Sequence, residues 1–514
     1  MSESRTKKSL KNSIVALMMY FVNLVLQFIS RKIFLDYLGT EILGLNTTVN
    51  NILQFLNLAE LGIGVAVSFS LYSPLATKNF NKVKEICIVQ GIIYKRIGYL
   101  IIICSLILMI FFPLIFRKMY LPLWYAYASF LVLLLSSLLS YFVNYKQVVL
   151  AANQQNYKII LYSKAVMALK VVFQIIFIRY FKDGYIWWLI WEVIFTIISS
   201  WSLNKAIHRE FPYLKSLGLQ NKELLKKYPE IVKKTKEVFV HKISGFALNQ
   251  ISPLIIYGII SMTMVAIYGN YMLIVTGIYS LLNAIFNGMT ASVGNLISEK
   301  NTDKSVRVFR ELFSSRFLMS TIICAVLVVL TNPFISLWIG SEYLLENSSL
   351  FLIIGILFIN TTRSVVDSYI YAYGLFHDVW AAILETVLNI GLSIILGLKF
   401  GLNGILVGVL ISLFVVYVIW KPIFLFHSAL RVKYSVYFKL YIKNLIISGS
   451  LILLNYFIFN FITFDIDYNW TILIISAILD ATIIFLIAGG ILYFSDTGIR
   501  LFATRCFNLI IKKF

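Results

Sequence analysis

Runs of about 20 apolar residues recur from one end of the chain to the other, separated by short polar loops, and that spacing leaves few folds open. A backbone placed in hydrocarbon must satisfy its own N–H and C=O groups, so only helices or a closed barrel can span a membrane. Barrel strands are short and alternate between apolar and polar residues; no such pattern occurs here. Of 514 residues, 60% are hydrophobic and 13% charged, against about 45–50% and about a quarter in a soluble domain. The chain is therefore predicted to be an all-α polytopic membrane protein.

Hydropathy and length mark about 14 transmembrane helices. They fall near residues 12–35, 42–73, 86–112, 122–146, 158–181 and 185–207, then 237–260, 264–297, 307–332, 348–374, 378–399 and 402–426, and finally 440–463 and 469–494. The one long interruption, 208–236, is rich in lysine and glutamate. This divides the chain into an N-terminal lobe over 1–225, a C-terminal lobe over 226–430, and two extra spans with a basic tail over 431–514. Two pseudo-symmetric lobes of six helices each, plus two C-terminal helices, are expected.

Lysines and arginines number 45 against 23 acids, a formal charge of +22. In a soluble protein that excess would raise nucleic-acid binding, but here it follows the positive-inside bias of cytoplasmic loops. Cations collect in alternate loops, at Lys7, Lys82, Lys146, Lys226, Lys304, Lys433 and Lys512 for example, while the loops between carry little beyond Arg117, Lys118, Lys182 and Lys399. Both termini are thus predicted to be cytoplasmic, in the inner membrane, with no nucleic acid as partner. The N-terminus reads as a short basic leader running into a full-length span, with no cleavable signal. The outer loops are too short for an external catalytic domain. Cys87, Cys104, Cys324 and Cys506 are scattered, which predicts neither a disulfide framework nor a metal site.

Several spans carry polar stripes. In the second, Asn46, Asn50, Gln54, Asn57, Glu60 and Gly64 lie within about a third of the helical circumference. Asn23, Gln27 and Arg31 follow at four-residue spacing in the first, with Lys32 beside them. His241, Gly245, Asn249 and Ser252 share a face of the seventh, next to Lys242, and Thr276, Asn283, Asn287 and Thr290 share one in the eighth. The segment from Gly44 to Ile86 also resembles 268–309 in layout: a Gly-Asn or Gly-Leu-Asn turn, an amide-bearing helix, a charged loop and an amphipathic helix start. Repeated halves around a central site are a usual build of secondary transporters. The stripes are expected to line a polar cavity between the halves, although a single Asn or Ser serves equally well as glue between helices.

Ionisable residues away from helix ends are more informative, because the bilayer makes them expensive. Arg363 lies near the middle of the tenth span, where Asp367 can pair with it at i,i+4. Arg31 and Lys32 lie near the outer end of the first span and can snorkel to headgroups, while Lys95 and Arg96 in the third span, and Lys164 and Lys170 in the fifth, are open to either snorkelling or a cavity role. Glu60, Glu192, Glu385 and Asp480 are the main embedded acids, each either a partner for a buried cation or a proton carrier. Together with Asp367, Glu60 and the titratable His241 are candidate ion-coupling groups. The first and seventh spans, which lead the halves, carry cations and amides and no embedded acid. That sign fits an anionic, hydroxyl-rich solute, since guanidinium and ammonium groups suit phosphate oxygens. No G-x-x-x-x-G-K-[ST] loop, metal-ligand cluster or nucleophile elbow occurs, so neither nucleotide hydrolysis nor a cofactor is expected. Transport driven by an ion gradient, by membrane potential or by product removal is.

The stretch YLGTEILGLNTTVNNILQFLNLAELGIGVAVSFSLYSPLATKN, Tyr37 to Asn79, resembles the N-terminal signature of Wzx-type lipid-linked oligosaccharide flippases of the MOP exporter superfamily. Its LG-x-E-x-LGL turn, AELGIG patch and SLYSPLA exit carry the likeness, and the span count and basic mid-chain loop extend it over essentially the whole chain. The resemblance implies two lobes in the inner membrane that move an undecaprenyl-diphosphate-linked repeat unit to the outer leaflet by alternating access, for capsule, exopolysaccharide or O-antigen assembly. Family cations that meet the diphosphate would correspond first to Arg31, Lys32 and Arg363, then to Lys95, Arg96 and Lys242. A polysaccharide polymerase and a chain-length regulator are the implied partners beside membrane lipid. The competing readings are a lipid II flippase, a multidrug antiporter of the same superfamily, which wants carboxylates in its leading spans, and a membrane polymerase or glycosyltransferase, which wants larger, more acidic outer loops.

Overall fold

The computed structural model describes residues 5–57, 63–153, 155–215, 223–231, 251–298, 301–375, 378–462 and 468–511. Among the described residues there is no strand, and eleven helices are long and apolar enough to cross a membrane. The long helices are α1 (Arg5–Leu56), α2 (Ile63–Ala76), α3 (Phe80–Ile110), α4 (Trp124–Phe142), α5 (Asn156–Tyr180), α6 (Gly184–Glu210), α7 (Met262–Ser298), α8 (Thr302–Trp338), α9 (Asn347–Tyr373), α10 (Val379–Leu430), α11 (Ser435–Ile462), α12 (Trp470–Ser495) and α13 (Thr497–Ile511).

Two of the eleven are double. An α-helix rises 1.5 Å per residue, so about 20 residues cross the hydrocarbon. The apolar part of α1 has 43 residues and α10 has 52. Each is broken by a glycine with positive φ: Gly39 at φ 81°, ψ 171°, and Gly401 at φ 57°, ψ −135°, backbone states that a Cβ makes costly. Counting their halves separately makes thirteen spans, and helical residues 251–259 are the described end of the expected seventh. The architecture of about 14 helices is the one the sequence predicts.

The chain forms two compact units, Met1–Ala266 and Ile267–Phe514. The segment around 257–262 is bound to the first unit. Tyr257 donates to the Ile115 carbonyl (2.8 Å), Lys118 to the Gly258 carbonyl (2.8 Å), and Thr48 to Met262 Sδ (3.4 Å).

In the first unit α5 packs along α6 and α1, and α4 along α6 and α1. The ion pair of Lys170 and Glu192 (2.6 Å) joins α5 to α6, with side chains only 14% and 7% exposed. Gln174 donates to the second Glu192 oxygen (3.0 Å). Glu192 is thus the partner of a buried cation, one of the two roles open to it on sequence alone.

In the second unit α8 is the hub, with α9, α11, α12 and α13 packed on it. Phe309, Phe313 and Phe317 recur at i,i+4, fully buried, and meet Tyr369, Phe426, Tyr437 and Tyr441 edge-on or tilted. The two extra helices α11 and α12 join the same core through Leu318, Ala325, Leu451, Ile484 and Leu492, and so belong to the second compact unit. The halves of α10 pack backbone against backbone. A Cβ on Gly404 would lie 2.0 Å from the Leu396 carbonyl oxygen, so the Gly404–Gly408 spacing acts as a small-xxx-small contact.

Candidate functional site

Each unit contains one polar group of side chains that sequence reasoning singled out, and the two are built differently. In the first unit the stripe on the second half of α1 divides along its length. Asn46 Oδ1 accepts from Ser129 Oγ (2.7 Å), and Ser129 Oγ in turn accepts from Tyr185 Oη, which lies 3.3 Å from the same Asn46 oxygen. Asn57 donates to Ser137 Oγ (3.0 Å) and accepts from Tyr141 Oη (3.0 Å). Both amides therefore tie α1 to α4, and Asn46 also to α6. Asn50 is exposed and Gln54 half-buried. The periodicity explains this: Asn57 lies about 20° around the helix from Asn46, while Asn50 and Gln54 lie about 40° and 80° away on the same side.

Lys32 is exposed and forms an i,i+4 pair with Asp36 at 3.7 Å, while Arg31 is half-buried. Asn23 bonds back to the Met19 carbonyl of its own helix (2.7 Å). Lys95 is half-buried and Arg96 exposed. Glu60, His241, Lys242 and Asn249 lie outside the described residues, as does the side chain of Asn287; Asn283 is half-buried on α7.

The second unit gathers more chemistry. Arg363, in the middle of α9, has a side chain 17% exposed. Its guanidinium carbon lies 3.7 Å from the centre of the Tyr417 ring. Asp367 stands one turn on, but the shortest approach of Arg363 Nε to its carboxylate is 3.7 Å, beyond hydrogen-bond range. Nε and Nη1 of Arg363 have no hydrogen-bond partner among the described residues. Tyr417 donates its hydroxyl to Glu385 Oε2 (3.0 Å), and Glu385 is buried with its other oxygen unpartnered among the described residues. Asn389, one turn beyond Glu385, is fully buried with neither amide atom bonded there.

The frame around Arg363 is a pair of facing helix halves. Tyr417, Trp420 and Lys421 share a face at i, i+3, i+4, opposite Asp378 and Glu385, seven residues apart. Lys421 donates to Asp378 Oδ2 (2.7 Å), and Trp420 Nε1 to the same oxygen (3.3 Å). The chain at Phe414–Trp420 is wound as a π-helix ahead of Pro422, an irregularity frequent at functional sites. Lys421 is thus neutralised by Asp378, and Arg363 is the cation of this group with donors to spare. Sequence reasoning named Glu385 as an embedded acid but missed Tyr417 and Asn389. The signal for Asn389 was available, since Glu385, Asn389 and Ser393 repeat every four residues on one face.

Solved structures share this fold. An inward-facing multidrug resistance MATE family transporter of the MOP superfamily superposes with a TM-score of 0.61 at 16% identity, over 82% of this chain and 99% of its own. The lipid II flippase MurJ, in an inward closed conformation, gives 0.60 at 16% identity, over 94% of this chain and 99% of its own. An outward-facing MATE transporter gives 0.54 at 17%, over 83% and 96%. The chain has the fold of these transporters. No family model matches the sequence, and no curated protein does. The fold is that of a multi-pass membrane protein, and the two kinds of neighbour differ in what they carry.

Proposed function

We propose that the chain is a flippase that moves an undecaprenyl-diphosphate-linked oligosaccharide from the inner to the outer leaflet of the cytoplasmic membrane by alternating access, feeding surface polysaccharide assembly. The observation that carries this reading is Arg363. A cation in mid-span is costly to keep, and this one lies over an aromatic ring with Nε and Nη1 unfilled among the described residues, which suits a phosphate oxygen. The sugar head and diphosphate cannot cross hydrocarbon unaided, so the protein shields them while the polyprenyl tail stays in lipid. An inside-negative potential helps an anion outward, by about 2.3 kcal/mol per charge per 100 mV if it crosses the full field. The LG-x-E-x-LGL signature supports the surface-polysaccharide branch over lipid II. In this reading both termini are cytoplasmic, Arg31, Lys32, Lys95 and Arg96 serve as secondary contacts for the anionic head, and the exposed Asn50 and Gln54 face its sugars. A polymerase and a chain-length regulator receive the product.

A second reading, an ion-coupled multidrug antiporter, is favoured by one observation: Glu385 is a buried carboxyl, near Asp367, with one oxygen unpartnered among the described residues. The two readings separate in cells. Arg363→Ala is expected to abolish surface-polymer export while the protein still inserts in the membrane, with drug susceptibility unchanged. Normal export by that variant, with raised drug susceptibility, favours the antiporter.

A further inference from the structure

We propose that Tyr417 is the positioning residue for Arg363: its ring holds the guanidinium in the orientation that receives a phosphate oxygen. The inference rests on the flippase reading above and adds to it a residue on a different helix segment.

An arginine side chain has four flexible torsions, and Asp367 at 3.7 Å does not fix this one by a hydrogen bond. What fixes it is the Tyr417 face, 3.7 Å from the guanidinium carbon. A guanidinium stacked on a ring keeps its N–H groups in the plane parallel to that ring, so stacking uses the π-face and leaves the donors available. The ring is fixed in turn. Its hydroxyl donates to Glu385 Oε2 at 3.0 Å, and Trp420 and Lys421, on the same face, are tied to Asp378. The order of action is therefore Asp378 just ahead of α10 and Glu385 on its first half, Tyr417 on the second half, and Arg363 on α9. Asp367 and Glu385 lower the cost of keeping the guanidinium charged while neither takes its Nε or Nη1 protons.

A leucine at 417 would keep the site apolar and remove the ring face. Arg363 would then be free to swing onto Asp367 and make the hydrogen-bonded pair that the present geometry denies it. Phenylalanine would keep the ring and lose only the hydroxyl.

The test uses full-length protein in lipid nanodiscs, with undecaprenyl diphosphate as the probe, and measures the binding of wild type, Arg363→Ala, Tyr417→Leu and Tyr417→Phe. Arg363→Ala is expected to lose most binding, Tyr417→Leu to weaken it about tenfold or more, and Tyr417→Phe to stay within about threefold of wild type, as a desolvated cation–π contact implies. In parallel, 15N-arginine NMR reads the ring-current shift of the Arg363 Nε–H, expected in wild type and Tyr417→Phe. If Tyr417→Leu does not insert, Tyr417→Phe decides alone: retained binding with a retained shift supports the proposal, and lost binding overturns it. Wild-type binding by Tyr417→Leu, or equal weakening by Leu and Phe, overturns the positioning role while the flippase reading stands, provided Arg363→Ala is weak. Wild-type binding by Arg363→Ala overturns both.

Discussion

The polar stripe of α1 and the Arg363 group of the second unit look alike as strings of letters, each a set of hydrophilic residues inside an apolar span. Their hydrogen bonding separates them. Asn57 gives one bond to Ser137 and takes one from Tyr141 on a neighbouring helix, and Asn46 accepts through Oδ1 while its Nδ2 has no partner among the described residues. Arg363, Glu385 and Asn389 keep atoms that no described residue satisfies. A buried polar group whose bonds are filled by its neighbours holds helices together. One whose bonds are left over is expensive, and in the reading proposed above the leftover donors of Arg363 are the ones a ligand fills.

The sharpest way to break this contrast is at its extremes. Arg363→Ala is expected to bring polymer export to background with normal membrane levels, read by surface-polymer staining and immunoblot. The satisfied ion pair should behave in the opposite manner. Lys170→Met leaves Glu192 as an uncompensated buried charge, so thermal stability in detergent should fall sharply, by about 3–5 kcal/mol. The double variant Lys170→Met/Glu192→Leu should recover most of the loss. Export by whatever Lys170→Met protein survives is expected to be near normal, and a specific transport defect at full stability would move Lys170 into the site. Gly401→Ala places a Cβ at φ 57° and should cost about 1–3 kcal/mol, seen as a lower melting temperature. Smallest is the stripe itself. Asn57→Ala removes two interhelical bonds and should cost about 1.2 kcal/mol, at about 0.6 kcal/mol each in a membrane, whereas the exposed Asn50→Ala should change stability not at all and export modestly. If Asn57→Ala stops export at normal stability, the line between the two groups has been drawn in the wrong place.

The fold was legible because the bilayer imposes it. Span length is set by hydrocarbon thickness, and the breaks at Gly39 and Gly401 fall between apolar runs already long enough to be two spans each. Arg363 was legible for the same reason, as a charge in mid-span. Which face of a stripe meets a neighbour was not, since Asn46 and Asn50 differ by only about 40° around the helix and the neighbour's Ser129 and Tyr185 are far away in sequence. Tyr417 was hidden by its surroundings. In the run FVVYVIW a tyrosine reads as ordinary span or interface residue, and only the packing of α9 against the second half of α10 shows that its ring lies under a guanidinium. Glu192 and Glu385 were indistinguishable as embedded acids until one was found paired with Lys170 and the other hydrogen-bonded to the Tyr417 hydroxyl.

The central claim, that the Arg363 group handles the diphosphate of a lipid-linked sugar, is tested most directly by translocation in proteoliposomes loaded with a fluorescent undecaprenyl-diphosphate sugar. Wild-type protein should carry the label across leaflets, and Arg363→Ala, reconstituted at equal amount, should leave it at the protein-free rate. Translocation by Arg363→Ala at the wild-type rate would contradict the account.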